Sequence, residues 1–354
     1  MKTGILTYHH TKNYGSWLQT YALYKKLKEL GVDIEVIDYR CLAIEKREKP
    51  EDFHFKRNIK ELAKDFIYIR PLRQLYHRFE KFTEQYLELS SVEYTAETIN
   101  SSNDEYDNFL IGSDIVWGTH ISGGDLTYFL NFAGEEKGKY AYAASIGEKW
   151  EKSEWQEISR LLHRFNSIAV REAQSAQWIK EICNLETDVV CDPTMLLTKL
   201  DWEAFSGPRR IKEKYILVYF MDRDGVIVQD AVMLGKRLNL PVYYVGFTNK
   251  LKGVKPYMIK DPADFVSVIK NAEITFCGSY HGMLFSLYMN TPFYYYYKHS
   301  SSRMEYIAKT LGVTERFGLN NSFQNPYDMD FETINAKIKK MRNIGVMKLK
   351  SYNL

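Results

Sequence analysis

In the stretch from Ile274 to Met289, ITFCGSYHGMLFSLYM, an apolar run stops at Cys277, Gly278 and Ser279 turn the chain, and apolar residues return at helical spacing from Tyr280. A turn of this kind places backbone N–H groups at a helix start, where a phosphate or carboxylate is favoured. His281 stands in it as a proton donor or acceptor, and a helix N-terminus pushes such a histidine towards its neutral form. Ser279, Tyr280 and Gly282 complete the turn. A capping serine beside a structural histidine is the plainer reading of the same residues.

Three more strand ends carry side chains able to do chemistry. In HTKNYGSWLQTYAL, Asn13, Tyr14 and Gly15 precede a helix and Gln19 lies one turn on. Glycine lets backbone approach a ligand, and the helix start attracts an anion or hydroxyl, although Asn13 or Ser16 can equally serve as an ordinary cap. IGSDIVWG sets Ser113 and Asp114 just past a buried strand, with Trp117 close by. A carboxylate there can take a proton from a sugar hydroxyl or simply make a turn. SIAVRE ends at Arg171, a planar fork suited to a carboxylate or phosphate, or to an ion pair with Glu172 or another carboxylate.

The elements that must position these residues alternate between strand and helix patterns. GILTYHH, a helix from Ser16 to Leu30, and VDIEVIDY form a βαβ unit, and DNFLIGSD, KYAYAASIG and SIAVRE read as buried parallel strands. After Asp-Pro and Gly-Pro breaks a second series follows: YILVYFM, a helix from about Gly225 to Leu238, PVYYVGF, ITFCG and PFYYYYK. The expected fold class is α/β, with two Rossmann-like domains at 1–206 and 207–354, and ligands gathering at the carboxyl ends of the strands. Within the first domain, residues 57–88 repeat apolar side chains every three or four positions, split by Pro71, with Arg57, Lys60, Lys64, Arg70, Arg73, Arg78 and Lys81 on the other face. This is a helical insertion in the N-terminal domain. Its charged face is either solvated or in peripheral contact with an anionic membrane surface.

Composition narrows the function classes. The chain has 48 Lys and Arg against 45 Asp and Glu, a net charge of +3 that gives no reason to expect a nucleic-acid partner. Cys41, Cys183, Cys191 and Cys277 are scattered without ligand spacing, so neither a metal nor a disulfide is expected, and buried thiols of a reducing cytoplasm fit them best. No apolar run approaches the roughly 20 residues of a membrane span, and a cytoplasmic location is the expectation. The 27 Tyr suit a sugar-binding surface and a β-sheet alike.

Seven ordered blocks, NYGSWLQTYAL, IGSDIVW, YAASIG, VREAQS, DPTMLL, SYHGMLFSLYMNTPF and SRMEYIAKTLGV, resemble the polysaccharide pyruvyl transferase family. The resemblance implies a GT-B-like pair of Rossmann domains facing a cleft, with the acceptor on the N-terminal side and the donor on the C-terminal side. It implies transfer of a pyruvyl group from phosphoenolpyruvate to hydroxyls of a saccharide, free or lipid-linked, as a cyclic ketal, with no separate cofactor. Carried over by position, the donor site resembles Arg171 with Gly278, Ser279, Tyr280, His281 and Gly282. His281 would transfer the proton and Asp114 would activate a hydroxyl; Asn13, Tyr14, Gly15, Gln19, Ser113 and Trp117 would face the acceptor. The chain departs from the family's Arg-Leu-His triplet by having Ser-Tyr-His, so a guanidinium is missing at Ser279. Arg303 is the first candidate to replace it, ahead of Arg316, Lys298 and Lys250. A GT-B glycosyltransferase using a nucleotide sugar and a non-catalytic carbohydrate-binding relative are the two other classes the sequence allows.

Overall fold

A computed structural model describes residues 1–48, 70–220, 225–245, 251–297, 302–318 and 325–354. The chain forms two units, Met1–Leu196 with Met341–Leu354, and Leu197–Lys340. In the first, the strands β1 (Lys2–Leu6), β2 (Asp33–Tyr39), β3 (Leu89–Tyr94), β4 (Asn108–Ile111), β5 (Gly138–Ala144), β6 (Ser167–Val170) and β7 (Asp188–Val189) pair in parallel in the order β3-β2-β1-β4-β5-β6-β7. The order reverses direction between β1 and β4, where Ile5 pairs with Leu110. Central strands are buried on both faces, so they read as continuous apolar runs.

The helix α1 (Tyr14–Glu29) starts where Asn13 accepts hydrogen bonds from the amides of Gly15 and Ser16. It is followed by α2 (Leu42–Glu48) and, beyond residues that lie outside the described set, by α3 (Arg70–Tyr86). The described part of the expected insertion packs on α1: Phe79 meets Tyr14 with ring centroids 5.2 Å apart, Phe82 meets Trp17 at 4.9 Å, and Trp17 Nε1 donates to Thr83 Oγ1 at 2.8 Å. Its outer face mixes Arg78 and Lys81 with His77 and Glu84, which is a solvated pattern. Residues 57–69, with Arg57, Lys60 and Lys64, lie outside the described residues. No helix among the described residues is long and apolar enough to cross a membrane.

In the second unit β8 (Ile216–Tyr219), β9 (Val242–Val245), β10 (Lys255–Tyr257), β11 (Ile274–Cys277) and β12 (Phe293–Tyr295) form a parallel sheet in the order β10-β9-β8-β11-β12, which reverses between β8 and β11. The division of the chain differs from the one expected at 206/207. Trp202 is fully buried against Phe285, ring centroids 4.8 Å apart, and Gly207 N donates to Ala263 O at 2.9 Å, so the segment before Gly207 already belongs to the second unit. The chain's end returns to the first: Tyr352 stacks on Tyr140 at 5.1 Å and donates to Ala141 O at 2.7 Å.

Candidate functional site

Each sheet has one switch point, and in each unit the chemistry-bearing residues collect there, as open α/β sheets dictate. In the second unit β11 ends at Cys277, and Gly278 N donates to Tyr219 O at 2.9 Å. A Cβ on Gly278 would lie 1.5 Å from the Phe220 ring, so only glycine fits against that side chain as placed. Ser279 then caps the helix α9 (Tyr280–Met289), its Oγ accepting from Gly282 N at 3.0 Å. Two amides expected to receive an anion, those of Gly278 and Gly282, are therefore already engaged, and the anion reading narrows to the residues between them. Tyr219 shares a hydrogen bond with Ser279, while burial pushes its phenol well above the usual range.

His281 is half-buried in the first turn of α9 and meets the Tyr280 ring edge-on at 5.2 Å. Beyond β12 runs the helix α10 (Ser302–Leu311), and the Arg303 guanidinium carbon lies 5.7 Å from the centre of the Tyr280 ring. A permanent cation thus stands at the start of α9, near the place where the Ser-Tyr-His triplet lacks one. Arg316 is not that cation: it is buried, donates to the carbonyls of Pro326 and Asp328, and lies over Tyr294. Lys250 and Lys298 lie outside the described residues.

In the first unit the loops after β1 and β4 meet. Thr7 Oγ1 donates to Ser113 O at 3.0 Å and Tyr8 Oη to Ile115 O at 3.1 Å. Asp114 has a φ of 80°, a left-handed conformation that a non-glycine residue adopts at a cost and that clusters at functional sites. Its Oδ1 accepts from Ile115 N at 2.9 Å and its Oδ2 from the Ser16 hydroxyl, so both carboxyl oxygens are fixed at the carboxyl end of the central strands. Ser16 was legible only as a cap; its bond to Asp114 spans 98 positions of sequence.

Several expected ligand contacts are corrected by burial. Arg171 is 2% exposed and sits among three carboxylates: Nη1 is 3.1 Å from Asp192 Oδ2, Nε is 3.5 Å from Glu172 Oε2, and Nη2 is 3.9 Å from Asp114 Oδ1. The ion pair is what this geometry provides, and Arg171 bears on the site by positioning Asp114. Trp117 is fully buried, donates from Nε1 to Tyr128 O and stacks on Phe129, so it belongs to the core. Gln19 and Ser113 are also fully buried, and Tyr14 and Gly15 are buried in the first turn of α1. Asn13 alone of that set is exposed, with its side-chain oxygen engaged as the helix cap. Among the described residues, no group of three or more His, Cys, Asp or Glu is placed to hold a metal ion.

The fold has solved counterparts. A glycosyltransferase from Rickettsia africae ESF-5 superposes with a TM-score of 0.54 at 11% identity, covering 99% of this chain and 97% of that one. The UDP-GlcNAc 2-epimerase from Neisseria meningitidis bound to UDP-GlcNAc gives 0.50 at 11% identity over 99% of both chains. At such identities the likeness establishes the two-unit, GT-B-like α/β fold. No curated protein sequence matches the chain. The sequence model of polysaccharide pyruvyl transferase matches residues 13–300, spanning the switch points of both units, and the chain belongs to that family.

Proposed function

We propose that this protein transfers the pyruvyl group of phosphoenolpyruvate to two hydroxyls of a saccharide, forming a cyclic ketal and releasing phosphate. The observation that carries the reading is the Arg303 guanidinium beside Tyr280 at the head of α9, which supplies a fixed charge next to a helix start and His281. Helix dipole and guanidinium together suit a dianionic phosphate. His281 protonates the donor's methylene carbon, a first sugar hydroxyl adds to C2 with Asp114 accepting its proton, and a second hydroxyl displaces phosphate. One hydroxyl proton ends on the new methyl group and the other on the phosphate, so the step balances without a redox partner.

Mass spectrometry of saccharides incubated with phosphoenolpyruvate tests this. A ketal-sized mass gain should appear with the wild-type chain and fall by roughly 10²- to 10⁴-fold with His281→Ala. Calorimetric binding of a nucleotide sugar in place of phosphoenolpyruvate would assign the chain to glycosyl transfer, and binding of saccharide without any turnover would make it a carbohydrate-binding relative.

A further inference from the structure

Tyr280 opens α9, beside the two groups on which the donor reading turns. The residue is 7% exposed, so its ring offers a ligand almost no surface and belongs to the packed interior of the second unit. Two of its ring contacts show another use. The Arg303 guanidinium carbon lies 5.7 Å from the ring centre, within the reach of a cation–π contact, and the His281 ring meets it at 5.2 Å with 78° between the planes. Arg303 stands where such a support matters. It lies in the first turn of α10, the helix end at which a cation is disfavoured, and its long side chain has rotamer freedom to lose. Glu305 of the same turn accepts a hydrogen bond from the Tyr297 hydroxyl. A carboxylate laid on Arg303 would cancel much of the charge that an anion reads, whereas the face of a buried tyrosine holds the guanidinium and leaves its charge in place.

We propose that Tyr280 is a positioning residue: its ring, itself fixed by burial, holds the Arg303 guanidinium at the head of α9 for the donor's phosphate; this rests on the pyruvyl-transfer reading. The ring makes no bond to the donor and acts through Arg303. Because Arg303 and His281 flank one buried ring, the cation and the imidazole keep a set relation to each other, and all three residues belong to the second unit. A leucine at this position would fill the space without a π face, and the guanidinium would regain its rotamers. The tyrosine at 280 thus goes with the serine at 279. With no cation on the turn itself, the one that replaces it comes from α10 and needs a rigid seat.

The test uses the full chain and phosphoenolpyruvate in the calorimeter. Tyr280→Leu should weaken binding roughly 2- to 30-fold, the range of one cation–π contact, and Tyr280→Phe, which keeps the ring, should recover most of that loss. In an Arg303→Ala background Tyr280→Leu should have almost no further effect, because the group it positions is gone. Proton spectra add a readout that a merely structural tyrosine would not move. The δ and ε protons of Arg303 should resonate upfield in the wild type and in Tyr280→Phe, under the ring current, and return to ordinary positions in Tyr280→Leu. Unchanged affinity in Tyr280→Leu, an equal loss with and without Arg303, or unshifted Arg303 protons in the wild type overturns the assignment. A wild-type chain that shows the shift but binds no phosphoenolpyruvate overturns the donor reading and with it the use of the contact, whereas binding without the shift overturns the role of Tyr280 alone.

Discussion

Replacing Arg171 by methionine keeps an unbranched apolar stem and removes the charge that three carboxylates share. Asp192 and Glu172 are almost wholly buried, and Asp114 is only slightly more open, so none of them can recover full hydration. Removing one partner of a buried ion pair costs about 3–5 kcal/mol, because the other charge is left uncompensated. For a unit of this size, at about 2–4 °C per kcal/mol, the melting transition should fall by roughly 6–20 °C. Tryptophan fluorescence isolates the right transition: Trp17, Trp117, Trp150, Trp155 and Trp178 lie in the first unit and only Trp202 in the second. Adding Asp192→Asn to Arg171→Met should recover at least about 1 kcal/mol, since it removes one of the stranded charges. A methionine variant that melts within about 2 °C of wild type would refute the reasoning and return Arg171 to the role of an anion ligand.

Arg303→Ala should weaken phosphoenolpyruvate binding about 10- to 100-fold, as expected for loss of a charge-assisted contact, and Ser279→Arg in that background should restore part of it; unchanged calorimetric affinity in Arg303→Ala excludes the contact. Burial alone would raise the Asp38 carboxyl, but hydrogen bonds from His9 and Arg40 hold it well below the usual carboxylate range. Such a group contributes stability above its unfolded value of about 3.9 and loses it as pH falls through the folded value, so Asp38→Asn should cost about 1.5–3 kcal/mol at neutral pH. That deficit should shrink in denaturant titrations below about pH 4, and a deficit constant down to pH 3 would contradict the coupling. Burial pushes the thiol of Cys41 up to about 11 and that of Cys191 to about 12, so both should resist alkylation at pH 8 until denaturant is added; rapid labelling of the folded chain would refute their burial.

What was legible in the sequence is what is local. Strands such as Ile216–Tyr219 and Ile274–Cys277 are buried along their whole length, so four apolar residues between turn signals suffice to read them. β3 is half-exposed, and β7 and β10 have two and three residues, so none of the three shows a readable apolar run. The unit boundary is set by non-local contacts: Trp202 buried against Phe285 assigns the segment before Gly207 to the second unit, and Tyr352 on Tyr140 helps to return the chain's end to the first. The site divides along the same line. Strand-to-helix turns show where ligands gather, and Asn13, Asp114 and Ser279 were each found from a turn. Whether a side chain's polar atoms are already spent depends on partners far along the chain. Arg171 looks like an anion fork until Asp192 and Asp114 are seen around it, and Trp117 looks like a sugar platform until Tyr128 and Phe129 enclose it. His10 gives the same lesson: Glu45 and Tyr76, which engage its ring nitrogens, reach it across 35 and 66 positions. Whether a ring nitrogen is free for a ligand or already spent on the fold is settled only once β1, α2 and α3 have come together, and no window of sequence contains all three.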